Sequence, residues 1–185
     1  MVRVIGGEAR GRRLALPGKC EVRPTADFVR EALFNILGPQ DGKIWADLYA
    51  GTGAVGIEAL SRGAAKSVFV ESNRSCCETI RANLAKCGFV QRAEIIEKPA
   101  GLAIKVLGNR GEVFDVIFAD PPYNKGLVAS TLDGIVNSGM GSEGSAIIIQ
   151  HSVKEPVRLE SSLWIVSDQR IYGDTEITII TSARV

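Results

Sequence analysis

Ile44-Trp45-Ala46-Asp47-Leu48-Tyr49, followed by Ala50-Gly51-Thr52-Gly53-Ala54-Val55-Gly56, is the stretch that decides the fold. An apolar run, Ile44–Tyr49, reads as a buried strand, and the glycines after it turn the chain into a helix over Ala54–Ser61 that Gly63 ends. Glycine lets the backbone turn sharply and lets a ligand approach with no Cβ in the way. The helix start presents free N–H groups beside that turn. The pattern G-x-G-x-x-G permits a nucleotide-binding reading, although a purely structural strand-to-helix turn would favour the same glycines. No Lys-Ser or Lys-Thr follows them, which excludes a Walker-type phosphate loop. Asp47 places a carboxylate beside the loop, where it suits a ligand carrying an ammonium group and repels a pyrophosphate. Glu71, ending the next strand Ser67–Glu71, lies where a carboxylate can accept from both hydroxyls of a ribose.

Outward from this unit, strands and helices alternate. Asn73 caps a helix running through Ile80 and Leu84 to Gly88, and Ala93–Glu97, Val113–Ala119 and Ser145–Gln150 read as further strands. Helices near Gly101–Leu107 and Leu127–Val136 fall between them. Such alternation implies parallel, right-handed βαβ units. The end differs: Leu163–Arg170 and Thr175–Thr181 are β-rich and separated only by Ile171–Asp174, so a hairpin closes the sheet and its last strand is antiparallel. The fold expected is α/β, Rossmann-like, a mostly parallel seven-stranded sheet with a C-terminal antiparallel hairpin and a small N-terminal β-hairpin and helix extension.

In that extension Val2–Ile5 and Arg12–Leu16 read as short strands around the Gly6-Gly7 and Gly11 turns. Thr25 is the expected N-cap of a helix with Asp27 in its first turn. Phe28, Ala32, Leu33, Ile36 and Leu37 are its expected inner face, leaving Arg30, Glu31 and Asn35 outward, and Gly38-Pro39 stops it.

The strand ending at Ala119 runs into Asp120-Pro121-Pro122-Tyr123. Two prolines stiffen the backbone and remove two N–H donors, so a carboxylate, carbonyls and an aromatic ring remain. That set fits a planar base with an exocyclic amine: Asp120 and the Pro121 carbonyl each accept one N–H, and Tyr123 stacks on the base. Exocyclic amines are poor nucleophiles because their lone pair is delocalised into the ring, and fixing both N–H bonds in line with an electrophile is the help they need. The bland alternative is a Pro-Pro turn preceded by a solvated Asp.

The 185 residues fit one domain with a small appendage and can bury a sizeable core. A formal net charge of +1 gives no hint of a polyanionic partner. The total hides an asymmetry, since Met1–Arg30 carries a net of +4 and the remainder −3. A basic start is nucleic-acid-like, although a salt-bridged surface is the plainer reading. Cys20, Cys76, Cys77 and Cys87 show no CxxC spacing and His151 is the only histidine, which argues against zinc. No apolar run exceeds four residues, so neither a membrane span nor a signal peptide is expected, and the setting expected is cytoplasmic.

Together these segments resemble the S-adenosylmethionine-dependent class I methyltransferases, and more closely the RsmD-type 16S rRNA guanine-N2 methyltransferases of bacteria. The resemblance rests on Val4–Gly7, Arg10–Arg12, Arg23–Thr25, Val29–Asn35, Asp47–Gly53, Gly56–Gly63, Asp120–Tyr123 and the terminal Tyr172-Gly173 with Thr175. It implies methylation of the exocyclic N2 amine of one guanine in small-subunit rRNA, with S-adenosylmethionine as cofactor. Carried over by position, Asp47, Tyr49, Gly51, Gly53, Glu71 and Ser72 bind the cofactor, Asp47 at its methionine end and Glu71 at its ribose. Asp120, Pro121, Pro122 and Tyr123 form the catalytic segment, and Arg10, Arg12, Arg23 and Thr25 face RNA. Residues 1–40 are then a basic RNA-facing extension and 41–185 the methyltransferase domain. The partner implied is 16S rRNA or a small-subunit assembly intermediate, met by a monomeric chain without metal or membrane.

One position departs from the pattern: where many class I enzymes carry Asp or Asn for the adenine amine, this chain has Pro99, in Glu97-Lys98-Pro99-Ala100. The competing readings are an adenine-N6 DNA methyltransferase, for which so short a chain leaves little room for a target-recognition insert, a nicotinamide-dependent oxidoreductase using Gly51–Gly56, and a non-enzymatic RNA-binding ribosome assembly factor. His151 reads as an ordinary polar surface residue, and Trp45 and Trp164 as packing groups.

Overall fold

Seven strands form one sheet in the computed structural model, which describes residues 2–18 and 27–183. The chain divides into two compact units, Met1–Pro99 and Ala100–Val185. In the first, β1 (Val2–Arg3) and β2 (Arg13–Leu14) make a small antiparallel ribbon, followed by α1 (Asp27–Leu37), β3 (Ile44–Leu48) and α2 (Ala54–Ser61). Then come β4 (Lys66–Glu71), α3 (Arg74–Cys87), a 3₁₀ turn (Val90–Arg92) and β5 (Ala93–Glu97). The second unit holds α4 (Ala100–Asn109), β6 (Val116–Ala119), α5 (Leu127–Ser138), β7 (Ala146–Ser152), β8 (Trp164–Tyr172) and β9 (Thr175–Ser182). The strand order is β5-β4-β3-β6-β7-β9-β8. Strands β3, β4 and β5 pair in parallel, as do β6 and β7, while β9 is antiparallel to both β7 and β8.

All eight residues of α2 are buried, so this helix has no solvent stripe. Gly56 sets how closely it lies on β4. A Cβ there would stand 2.4 Å from Cε1 of Phe69 and 2.7 Å from Oγ of Ser67. The outer side of α2 is covered by the N-terminal arm. The Glu58 carboxylate accepts the backbone N–H of Ile5 (2.7 Å) and Gly6 (2.8 Å), and Ser61 Oγ accepts that of Ala9 (2.9 Å). Gly7, at φ 75°, passes so near the Ser61 carbonyl that a Cβ would overlap it at 1.7 Å.

The buried face of α1 is turned from the one periodicity suggests. Val29, Arg30, Leu33 and Phe34 are buried, whereas Phe28 and Ile36 are exposed. Arg30, expected outward, is fully enclosed. Its guanidinium donates to the Arg3 carbonyl and the Asp27 carboxylate and lies 3.8 Å from the buried Glu58 carboxylate. Phe34 stacks on Trp45 at 5.3 Å between centroids, with the Arg62 guanidinium 4.9 Å over its ring. Desolvated charge and aromatic stacking outweigh the burial of Phe28. The Thr25 cap lies outside the described residues.

The C-terminal hairpin turns on Gly173-Asp174, with Gly173 at φ 62°. Its second strand enters beside β7, and that burial accounts for a correction at His151. The imidazole is wholly buried, 2.8 Å from Thr178 Oγ1 on β9 and 3.0 Å from the Ser152 carbonyl. Trp45 and Trp164 are buried, as expected of packing groups. Cys76, Cys77 and Cys87 are buried thiols, and burial pushes the Cys77 thiol up to about 11.

Candidate functional site

At the carboxyl end of β3 the backbone enters the left-handed region three times within five residues, at Tyr49 (φ 61°), Gly51 (φ 55°) and Gly53 (φ 75°). Among the described residues only Tyr49 and Asn124 do so without being glycine; Tyr49 ends the apolar run read from sequence, and Asn124 follows the Asp120–Tyr123 segment. Gly53 then serves as the N-cap of α2 with no side-chain cap, leaving backbone donors at the helix start.

Two carboxylates hold this loop. Asp47 is buried and accepts the Gly56 N–H at 2.9 Å. Burial pushes its carboxyl up to about 7 from an ordinary 3.8; the Gly56 bond opposes that rise and the Glu71 charge adds to it. Glu71 lies half-buried at the end of β4, accepting from Gly51 N–H (2.9 Å) and Asn73 N–H (2.8 Å). Each of its oxygens accepts one of these bonds and retains a further lone pair, so the carboxylate can still take ribose hydroxyls. Ser72 is exposed beside it, and Asn73 caps α3 through Ser75 and Cys76 N–H. Glu97 lies 3.5 Å from Arg81, and Pro99 is exposed.

Asn83 is a residue the sequence reading missed. It is buried on α3, accepts Ala15 N–H (2.7 Å), and donates to the carbonyls of Ala15 (3.2 Å) and Thr52 (3.1 Å). The basic arm and the glycine loop thus share one side chain. A lone Asn inside an amphipathic helix gives no signal of this.

In the second unit, Asp120-Pro121-Pro122-Tyr123 leaves the carboxyl end of β6. Asp120 is half-buried, Pro121 buried, Pro122 exposed and Tyr123 half-buried. Three side chains remote in sequence fasten the segment. Gln150 Nε2 donates to Asp120 Oδ2 at 2.9 Å, and Thr175 Oγ1 lies 3.2 Å from the Tyr123 hydroxyl. Glu155 accepts the N–H groups of Asn124 and Gly126, the latter at 2.9 Å. For Gln150 the sequence signal is polarity at the end of a buried strand, where Ile147-Ile148-Ile149 gives way to Gln150-His151; Thr175 was among the residues that carried the resemblance.

The RNA-facing set divides. Arg10 is exposed, Arg12 is exposed but donates to the Lys86 carbonyl at the end of α3, and Arg23 and Thr25 lie outside the described residues. Arg3 pairs with Asp27, and Arg30 is buried, so part of the basic balance of residues 1–30 is used inside the unit.

Residues 2–181 match a protein family described as "Conserved hypothetical protein 95". Ribosomal RNA small subunit methyltransferase D of Escherichia coli K12 is 33% identical over 176 residues, 93% of this chain and 85% of that protein. The putative rRNA methyltransferase YlbH of Bacillus subtilis is 32% identical over 179 residues, 96% of this chain and 97% of its own. The solved structure of the putative methyltransferase yhhF from Escherichia coli superposes with a TM-score of 0.86 at 29% identity, covering 98% of this chain and 97% of that one. The same glycine loop, acidic strand end and Asp-Pro-Pro-Tyr segment carried the resemblance read from sequence. The chain belongs to the family of ribosomal RNA small subunit methyltransferase D.

Proposed function

We propose that this chain transfers a methyl group from S-adenosylmethionine to the exocyclic N2 amine of a guanine in small-subunit rRNA. The observation that carries the reading is the braced segment Asp120–Tyr123, an acceptor-rich edge with an aromatic ring held by Gln150, Thr175 and Glu155. Family membership supports the same chemistry, since relatives bear the name of small-subunit rRNA methyltransferases.

The donor set of the first unit fits the cofactor. Glu71 takes the ribose hydroxyls with the lone pairs its two backbone bonds leave, and the turns at Gly51 and Gly53 let the ligand pass close to the backbone. Asp47 supplies negative charge for the methionine ammonium, with Tyr49 and Ser72 flanking. Bound S-adenosylmethionine supplies an electrophilic methyl group on its sulfonium sulfur. The chain's part is orientation: Asp120 and the Pro121 carbonyl accept the two amine N–H bonds, aiming the nitrogen lone pair away from the ring plane. Tyr123 stacks on the base, a contact worth about 1–3 kcal/mol, and Pro122 keeps the turn rigid. The surplus proton is lost more easily once the nitrogen is methylated, so Asp120 orients rather than abstracts. Arg10 and Arg12, with Arg23 and Thr25, supply the phosphate contacts, and residues 1–40 act as the RNA-facing extension of a methyltransferase domain over 41–185.

Purified protein, labelled S-adenosylmethionine and small-subunit rRNA, naked or partly assembled, test the proposal. Asp120→Ala should cut transfer by about 10²–10³-fold with cofactor affinity unchanged. Equal transfer by Asp120→Ala would overturn the mechanism. Label in DNA adenine, or salt-dependent RNA binding with no transfer by the wild type, would overturn the activity.

A further inference from the structure

The carboxyl end of β7 carries a polar residue whose burial the packing of the strand does not require. Gln150 follows three isoleucines and is 5% exposed. Its Nε2 donates to Asp120 Oδ2 at 2.9 Å and lies 3.4 Å from the Tyr123 hydroxyl, which itself lies 3.2 Å from Thr175 Oγ1. The amide orientation is forced, because turning it over would set Oε1 against the Asp120 carboxylate. That orientation leaves Oε1 buried with no hydrogen-bond partner among the described residues. Burying an amide oxygen unpaired costs stability, so an apolar side chain here would serve packing better. What Gln150 provides instead is a joint between a carboxylate and an aromatic hydroxyl, tying the two groups to each other.

We infer that Gln150 is a positioning residue for methyl transfer. By donating to one Asp120 oxygen it fixes the rotation of the carboxylate, so the second oxygen faces the amine in one direction. By holding the Tyr123 hydroxyl it sets where the far end of the ring that covers the base lies. A carboxylate free to swing would spend little time aligned, and small misalignments of reacting groups are costly in rate. The inference rests on the preceding reading of Asp120 and Tyr123 and adds the group that makes them act as a unit.

The test compares Gln150→Leu, Gln150→Glu and wild type for methyl transfer across pH, with S-adenosylmethionine affinity and thermal stability measured beside it. Gln150→Leu should lower kcat by about 10–100-fold with cofactor affinity within twofold. Gln150→Glu gives a sharper readout. Protonated, the introduced carboxyl donates to Asp120 as the amide does; ionised, it repels it. This variant should approach wild-type turnover at acidic pH and lose it as pH rises, a descending limb the wild type lacks. The titratable groups around the joint are Asp120 and Tyr123 beyond β6, His151 on β7, Glu155 in the following turn and Glu176 on β9. All are shared with the wild type, so a limb confined to the variant belongs to the new carboxyl. Wild-type turnover by Gln150→Leu, or loss by Gln150→Glu to the same degree at every pH, would overturn the inference. If Gln150→Leu does not fold, the pH profile of Gln150→Glu decides alone. A wild type that transfers no methyl group at all would instead sink the proposed function, and this inference with it.

Discussion

Asp47 offers a prediction whose size follows from its surroundings. The carboxyl is buried beneath the glycine loop with one backbone N–H, and burial lifts it to about 7 from an ordinary 3.8. The folded chain therefore keeps a proton that the unfolded chain has lost between those values. Stability falls by about 1.4 kcal/mol for each pH unit in that window, reaching a full cost of about 4 kcal/mol above pH 7. Asp47→Asn keeps an acceptor for Gly56 N–H and removes the charge. Denaturant unfolding of both proteins without cofactor should show the variant gaining about 3 kcal/mol relative to wild type between pH 5 and pH 8. A stability difference that stays flat over that range would refute the reasoning, because Asp47 would then titrate as an exposed carboxyl does. The cost has a use in the proposed function. A cationic methionine end favours the ionised carboxylate, so S-adenosylmethionine affinity should fall below pH 7, by up to about tenfold per unit. Asp47→Asn should bind more weakly and without that dependence.

Gly56→Ala should destabilise by about 1–3 kcal/mol, seen as a lower Tm, because its methyl group meets the Phe69 ring at 2.4 Å. Glu58→Ala removes the buried carboxylate shared by Arg30, Arg62 and the Ile5 and Gly6 N–H groups and should cost about 3–5 kcal/mol in denaturant unfolding. Asn83→Ala releases Ala15 and Thr52 together and should cost about 1–3 kcal/mol, while speeding limited proteolysis within residues 2–18. Arg10→Ala should weaken RNA binding and lower its salt slope by about one, leaving cofactor affinity unchanged.

The parts legible in the sequence are those written in local pattern. The Asn73 cap, the Ala54–Ser61 helix and the Gly173-Asp174 turn depend on residues within a few positions of one another, and the structure has each in place. Side-chain orientation on α1 was not legible, because its cause lies on α2. Arg30 turns inward to Glu58, a partner that helical periodicity cannot see, and Phe28 is left exposed as a result. His151 misled for the same reason, since Thr178 on another strand supplies the bond that permits its burial. The candidate site divides along this line. Asp47, Glu71 and Asp120–Tyr123 announce themselves by place in a strand-loop-helix unit, whereas Gln150 and Asn83 act only through contacts the fold creates. Charge behaved likewise: the excess of residues 1–30 is genuine, but Arg30 is spent in the core, while the exposed Arg12 also donates to the end of α3.

The central claim concerns one atom, the N2 amine of a guanine in small-subunit rRNA. Nucleoside analysis of 16S rRNA from cells lacking this protein, compared with cells carrying the wild type or Asp120→Ala, tests it most directly. The account expects one N2-methylguanosine to disappear without the protein, to return with the wild type, and to stay absent with Asp120→Ala. An unchanged set of methylated nucleosides in the cells lacking the protein would contradict it.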